Sequence, residues 1–149
     1  MSNEYSDEDA QLVRQKTSKI YERFKESDFF ENMYKYCQRQ AQSIVAYLGE
    51  FSYMYDLVFP EDWNIDRFLG QVYNIQRKCM FKNEFFKALP KVIYHFSKFC
   101  EANNIGTFSL DKIEEYNQDL KEGYYDDEFY DSWQEGSDAR LENAKKWGL

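Results

Sequence analysis

Apolar residues return every three or four positions along most of this chain, and no stretch alternates apolar with polar in the manner of a strand. The pattern predicts an all-α protein. A first helix is expected to begin after Ser6, whose hydroxyl can accept the Asp9 amide, and to carry Val13, Ile20 and Phe24 on one side. Asp7, Glu8 and Asp9 in its first turn suit the positive end of the helix dipole. A second cap at Ser27 or Asp28 opens a long run over 29–58, in which Phe30, Met33, Cys37, Ala41, Ile44, Leu48, Phe51 and Tyr55 keep helical steps. This run is expected to be the central helix, with Gly49 as a point of bending or termination.

Phe59-Pro60 closes that element, because a residue before proline is pushed out of helical angles. Asn64 is expected to cap a third helix with Ile65, Phe68, Leu69 and Val72 inward. A further pattern over 83–102 puts Phe85, Phe86, Leu89, Val92, Ile93, Phe96, Phe99 and Cys100 on one side. Pro90 interrupts it, so the helix either starts there or continues with a kink. Residues 103–106, Asn-Asn-Ile-Gly, read as a turn, and Ser109 caps a segment with Leu110, Ile113, Tyr116 or Asn117, and Leu120 at helical spacing. After Gly123 the pattern changes to an acid-aromatic stretch, followed by a short helix capped by Ser137 with Leu141, Ala144 and Trp147. The expected architecture is a compact bundle of five to six helices over 1–122. Residues 123–149 come after it as an acidic, aromatic-rich segment with a short C-terminal helix, packed on the same domain.

Composition narrows the class. The 149 residues include 13 Tyr, 13 Phe and 3 Trp, with only 6 Gly and 2 Pro. That is too much apolar surface for a disordered chain and enough for one core. The abundance of Tyr, Phe, Lys and Asn fits a genome rich in A and T, such as a low-GC bacterium or its phage. The acidic, polar start lacks the basic and apolar regions of a signal peptide, and no run of about 18 apolar residues occurs. A cytoplasmic chain without membrane association is the expectation.

Charge is unevenly distributed. Residues 122–138 hold Glu122, Asp126, Asp127, Glu128, Asp131, Glu135 and Asp138 with no Lys or Arg, and so carry nearly all of the formal net charge of −8. Residues 67–98 hold Arg67, Arg77, Lys78, Lys82, Lys87, Lys91 and Lys98 against the single acid Glu84. Segregation of this kind creates fields that steer partners, and fold is nearly indifferent to it.

Motifs for chemistry are sparse. The lone histidine, His95, has no second histidine with which to form a zinc site and lies among Lys91, Lys98 and Phe99 at helical spacing. Cys37, Cys79 and Cys100 lack CxxC spacing and read as buried free thiols. The glycines are too scattered for a phosphate loop, and runs of adjacent acids such as Asp126-Asp127-Glu128 point in different directions. No catalytic, cofactor-binding or metal-binding residue is therefore assigned, and no cofactor is expected. The hydrophobic spacing of residues 63–104 is similar to that of the helical core-binding domain of tyrosine recombinases. Any helix pair can produce such spacing, none of the recombinase catalytic residues has a counterpart, and the resemblance implies no function here.

Two surfaces stand out instead. Tyr124, Tyr125, Asp126, Asp127, Phe129, Tyr130, Asp131 and Trp133 combine large rings with carboxylates, the composition of an interface anchor, and form the expected partner-binding site. Lys87, Lys91 and Lys98 share one outward helix face, which together with Arg77, Lys78 and Lys82 forms an alternative, nucleic-acid-binding site. The favoured expectation is a non-enzymatic interaction or regulatory protein, phage- or mobile-element-associated, with a protein partner; homo-oligomerisation stays open. The alternatives are a helical module bound to nucleic acid and an acidic mimic of nucleic acid that inhibits a DNA- or RNA-binding enzyme. An overall pI near 4.8 speaks against an autonomous DNA binder.

Overall fold

The computed structural model describes residues 4–78 and 83–121. Among them are six α-helices and no strand: α1 (Asp7–Lys25), α2 (Asp28–Glu31), α3 (Lys35–Asp56), α4 (Ile65–Lys78), α5 (Asn83–Ala102) and α6 (Leu110–Lys121), with a 3-10 turn at Pro60–Asp62. The bundle of about five to six helices read from the apolar spacing is therefore present. The acid-aromatic segment and the helix after Ser137 lie outside the described residues, as does Cys79.

Local chemistry explains most boundaries. The Asp9 amide donates to Ser6 Oγ at 3.1 Å, and the Arg67 amide donates to Asn64 Oδ1 at 2.8 Å. The run over 29–58, expected as one helix, is two. The Ser27 hydroxyl starts the single turn of α2, and the chain breaks at Asn32-Met33-Tyr34 before α3 begins. Apolar spacing passes through this break unchanged because Met33 is buried on the same side as Phe30 and Cys37. Gln38 fastens the break with its amide, which donates to the carbonyls of Phe30 at 3.0 Å and Met33 at 3.3 Å. At the other end Leu57 takes the left-handed conformation (φ 56°), and the amides of Leu57 and Val58 close back on Tyr53 and Ser52.

Gly49 neither bends nor ends α3. A Cβ there would fall 2.5 Å from Thr17 Oγ1 and 2.9 Å from Thr17 Cγ2, so the glycine is where α1 lies against α3. Likewise α5 runs through Pro90 in one piece, and the Tyr116 hydroxyl donates to the Pro90 carbonyl at 3.0 Å, tying α6 to that turn.

Helix α3 is central, with α5 and α1 as its main neighbours and α4 beside it. Ile44, Val45, Leu48, Phe68, Ile75, Val92, Ile93 and Phe96 are fully buried in one cluster built by α1, α3, α4, α5 and α6, with Phe29 and Phe30 of α2 packed against it. Trp63, also fully buried, packs against Phe68 and Phe96 with ring centroids 5.3 and 5.8 Å away. Its carbonyl accepts the Thr107 amide at 2.7 Å, and Gly106 (φ 70°) supplies the close approach, since a Cβ there would stand 2.4 Å from that oxygen. A smaller cluster of Ala10, Val13 and Tyr53 holds the start of α1 to the end of α3. No helix among the described residues is long and apolar enough to cross a membrane.

Candidate interaction site

The first half of α5 crosses the start of α3, and this crossing gathers most of the site. Lys87 and Lys91 stand one turn apart on α5, and Tyr34 and Tyr36 lie at the entry to α3. Tyr36 is buried, and Tyr34, 65% exposed, stacks on it with centroids 6.0 Å apart and planes 11° from parallel. The Lys91 ammonium donates to the Tyr36 hydroxyl at 2.7 Å and lies 5.2 and 5.4 Å from the two ring centres. Lys87 Nζ is 5.0 Å from the centre of the Tyr36 ring. Behind this group Glu84 receives Arg39 and Gln40 from the next turn of α3.

The outward lysine face predicted from spacing is thus only partly outward. Lys87 is 3% exposed, its stem enclosed and its charge laid against an aromatic face. Lys98 is half-buried, 3.4 Å from the Tyr94 hydroxyl and 3.7 Å from Glu114 Oε1 of α6. The same carboxylate accepts the Tyr94 hydroxyl at 3.0 Å, and burial together with that bond raises the Tyr94 phenol. Arg77 and Lys78 are exposed in the last turn of α4, Arg77 with its guanidinium 5.2 Å from the Tyr73 ring centre. Lys82 lies outside the described residues. So do Tyr124, Tyr125, Asp126, Asp127, Phe129, Tyr130, Asp131 and Trp133; of the basic residues the structure gathers Lys87 and Lys91 at Tyr36.

Tyr34, Tyr36, Tyr94 and Glu114 were not singled out by sequence reasoning. Tyr34, Tyr36 and Glu114 gain their lysine partners only through the packing of α3 and α6 on α5, whereas Tyr94 meets Lys98 one turn along its own helix.

Burial shifts the titratable groups nearby. Burial, helped by the charges of Lys98 and Lys91, lowers His95 to about 4, so the imidazole is neutral at pH 7. Burial pushes the Cys37 thiol up to about 11 against the opposing pull of Tyr36, Lys91 and Lys87, and it raises Cys100 as well. Among the described residues no group of three or more His, Cys, Asp or Glu is placed to hold a metal ion. A shallow cavity of about 180 Å³ between α1 and α3 is lined by Arg14, Thr17, Ser18, Tyr21, Gln42, Ala46 and Glu50, small against the several hundred Å³ usual for a ligand site. No protein family, curated protein or solved structure matches the chain.

Proposed function

We propose that this protein is a non-enzymatic interaction or regulatory protein, phage- or mobile-element-associated, in which a helical bundle carries the acid-aromatic residues 124–133 to a protein partner. The observation that supports this most is the shape of the buried cluster. It spans Tyr21 to Tyr116 and draws on five of the six helices, with Phe29 and Phe30 of α2 packed against it, so among the described residues the bundle has a core that can carry the residues beyond α6. The rings of Tyr125, Phe129 and Trp133 are then anchors, and the carboxylates around them set orientation and encounter rate.

The reading based on the basic residues has less support, since Lys87 is enclosed and Lys98 is engaged by Glu114. The test uses the full chain as bait and a second full-length bait with Tyr125→Ser, Phe129→Ser and Trp133→Ser. The expected result is a protein retained by the first and lost from the second, with matching circular dichroism for the two baits. Equal retention by both would sink the reading.

A further inference from the structure

The geometry points to the chain's own residues 122–138 as the occupant of the basic, aromatic surface around Tyr34 and Lys91. This inference rests on the proposed function only in treating that segment as an interaction motif.

The end of α6 lies beside the start of that surface. Helix α6 runs antiparallel to α5, because Glu114 meets Tyr94 and Lys98 while Tyr116, further along α6, reaches back to Pro90. At about 1.5 Å per residue, the five residues from Tyr116 to Lys121 carry the chain a further ~7.5 Å, to about the level of Phe86 and Lys87. Lys112 meets Asp66 at 3.1 Å, so α6 starts beside the start of α4. Arg77 and Lys78 are exposed in the last turn of α4. Reach is not limiting, since ten extended residues span roughly 33 Å.

Complementarity extends to both kinds of chemistry in the segment. For its carboxylates the surface offers Lys91, the exposed Lys35 and the positive end of α3. That helix has no acid in its first turn and no side-chain cap, so its dipole is not offset locally. For the segment's rings it offers Tyr34, exposed and already stacked flat on Tyr36. A tethered segment acts at a high effective concentration, so even weak contacts are well populated. A partner must then displace it, and the surface acts as a brake on partner binding.

Zero-length carbodiimide cross-linking of the dilute full chain, mapped by mass spectrometry, tests the inference. An equal mixture of ¹⁴N- and ¹⁵N-labelled protein separates links within one chain from links between chains. The expected result is intrachain links from Lys35, Lys78 and Lys91 to carboxylates of residues 122–138. They should fall several-fold in 1 M salt, where the Debye length shrinks to about 3 Å. They should fall several-fold again in Tyr34→Ala, a change that removes no reactive group.

Links that join only different chains, links confined to other lysines, or yields unaffected by Tyr34→Ala with the helix content intact would each overturn it. Partner capture is scored separately. Partner lost from the Tyr125/Phe129/Trp133 variant with no such links leaves the function standing and removes the brake; links with equal retention by both baits do the reverse.

Discussion

Gly49 illustrates how a residue that breaks a local rule can be required by packing. Glycine costs about 1 kcal/mol against alanine inside a helix, so Gly49→Ala should help α3 in isolation. In the bundle the added Cβ meets Thr17 Oγ1 and Cγ2, and neither has room to retreat because Thr17 is itself buried. Overpacking of this kind costs about 1–3 kcal/mol, and we expect Gly49→Ala to melt below the wild type. The combination with Thr17→Ala should recover part of that loss, because the nearest remaining atom is then Thr17 Cβ at 3.2 Å. Urea titrations of the two single variants and the double variant check this, and additive losses would show that the two residues do not compete for space.

His95 gives a second expectation with a defined sign. Its folded value, about 4, lies below the ordinary 6.5, so between those two values the unfolded chain binds the extra proton. Stability from this group is present above pH 6.5 and declines as pH falls toward about 4. His95→Gln should flatten that part of the profile relative to the wild type, as read from urea midpoints at pH 7 and pH 5. The imidazole signals of this single histidine, followed by NMR, should titrate near pH 4.

Among the helices, those that matched their sequence signals did so where a polar cap and an apolar face agree. Ser6 with α1, Asn64 with α4 and Ser109 with α6 are of this kind, as is the turn at 103–106. The division between α2 and α3 was not legible, because Phe30, Met33 and Cys37 keep helical steps while the backbone between them does not. What marks the division is the Gln38 amide, and a glutamine three residues inside a helix carries no local sign that it is bonded backward.

Ile44 sits at the middle of α3 and is fully buried. An unpaired carboxylate there costs several kcal/mol, comparable to the stability of a whole domain, so Ile44→Asp should abolish the cooperative melt. A melting point within a degree or two of the wild type would remove α3 from the centre of the fold. Tyr36→Phe is a milder probe of the α3–α5 crossing. It deletes the hydroxyl bonded to Lys91 but keeps the ring under Lys87 and Lys91, and a hydrogen bond to a charged group contributes about 1.5–3 kcal/mol. Tyr36→Leu, which also removes the ring, should cost more, and equal losses would argue against a contribution from the aromatic face.

For the molecule as a unit, the separation of charge along the chain was readable, but the placement of its basic half was not. Spacing put Lys87 on the solvated side of α5 with Lys91 and Lys98. The structure encloses it where the start of α3 lays Tyr36 against it, while α6 engages Tyr94 and Lys98 further along the same helix. This changes what a titration with DNA should show. Each phosphate contact contributes about −0.9 to the slope of log affinity against log salt, so three outward lysines would give roughly −3. With Lys87 enclosed and Lys98 held by Glu114, at most Lys91 of those three contributes, for a slope of about −1. The full chain is expected to bind labelled duplex negligibly at either low or moderate salt. A chain ending at Glu122 should stay helical and melt cooperatively, since the cluster from Tyr21 to Tyr116 already joins α1 and α3 to α6. Loss of the cooperative transition by circular dichroism would instead make Tyr125, Phe129 and Trp133 part of the core.

The burial of Trp63 against Phe68 and Phe96 also has an optical consequence. The other two tryptophans, Trp133 and Trp147, both come after α6. In a chain ending at Glu122 the indole of Trp63 becomes the sole long-wavelength fluorophore. With no hydrogen-bond partner on its Nε1 among the described residues, it should emit at the short-wavelength limit for tryptophan and shift to the red only when the bundle opens. Subtracting that spectrum from the spectrum of the whole chain isolates the light from Trp133 and Trp147. The fold therefore gives the bundle and the residues beyond it distinguishable colours without any added label.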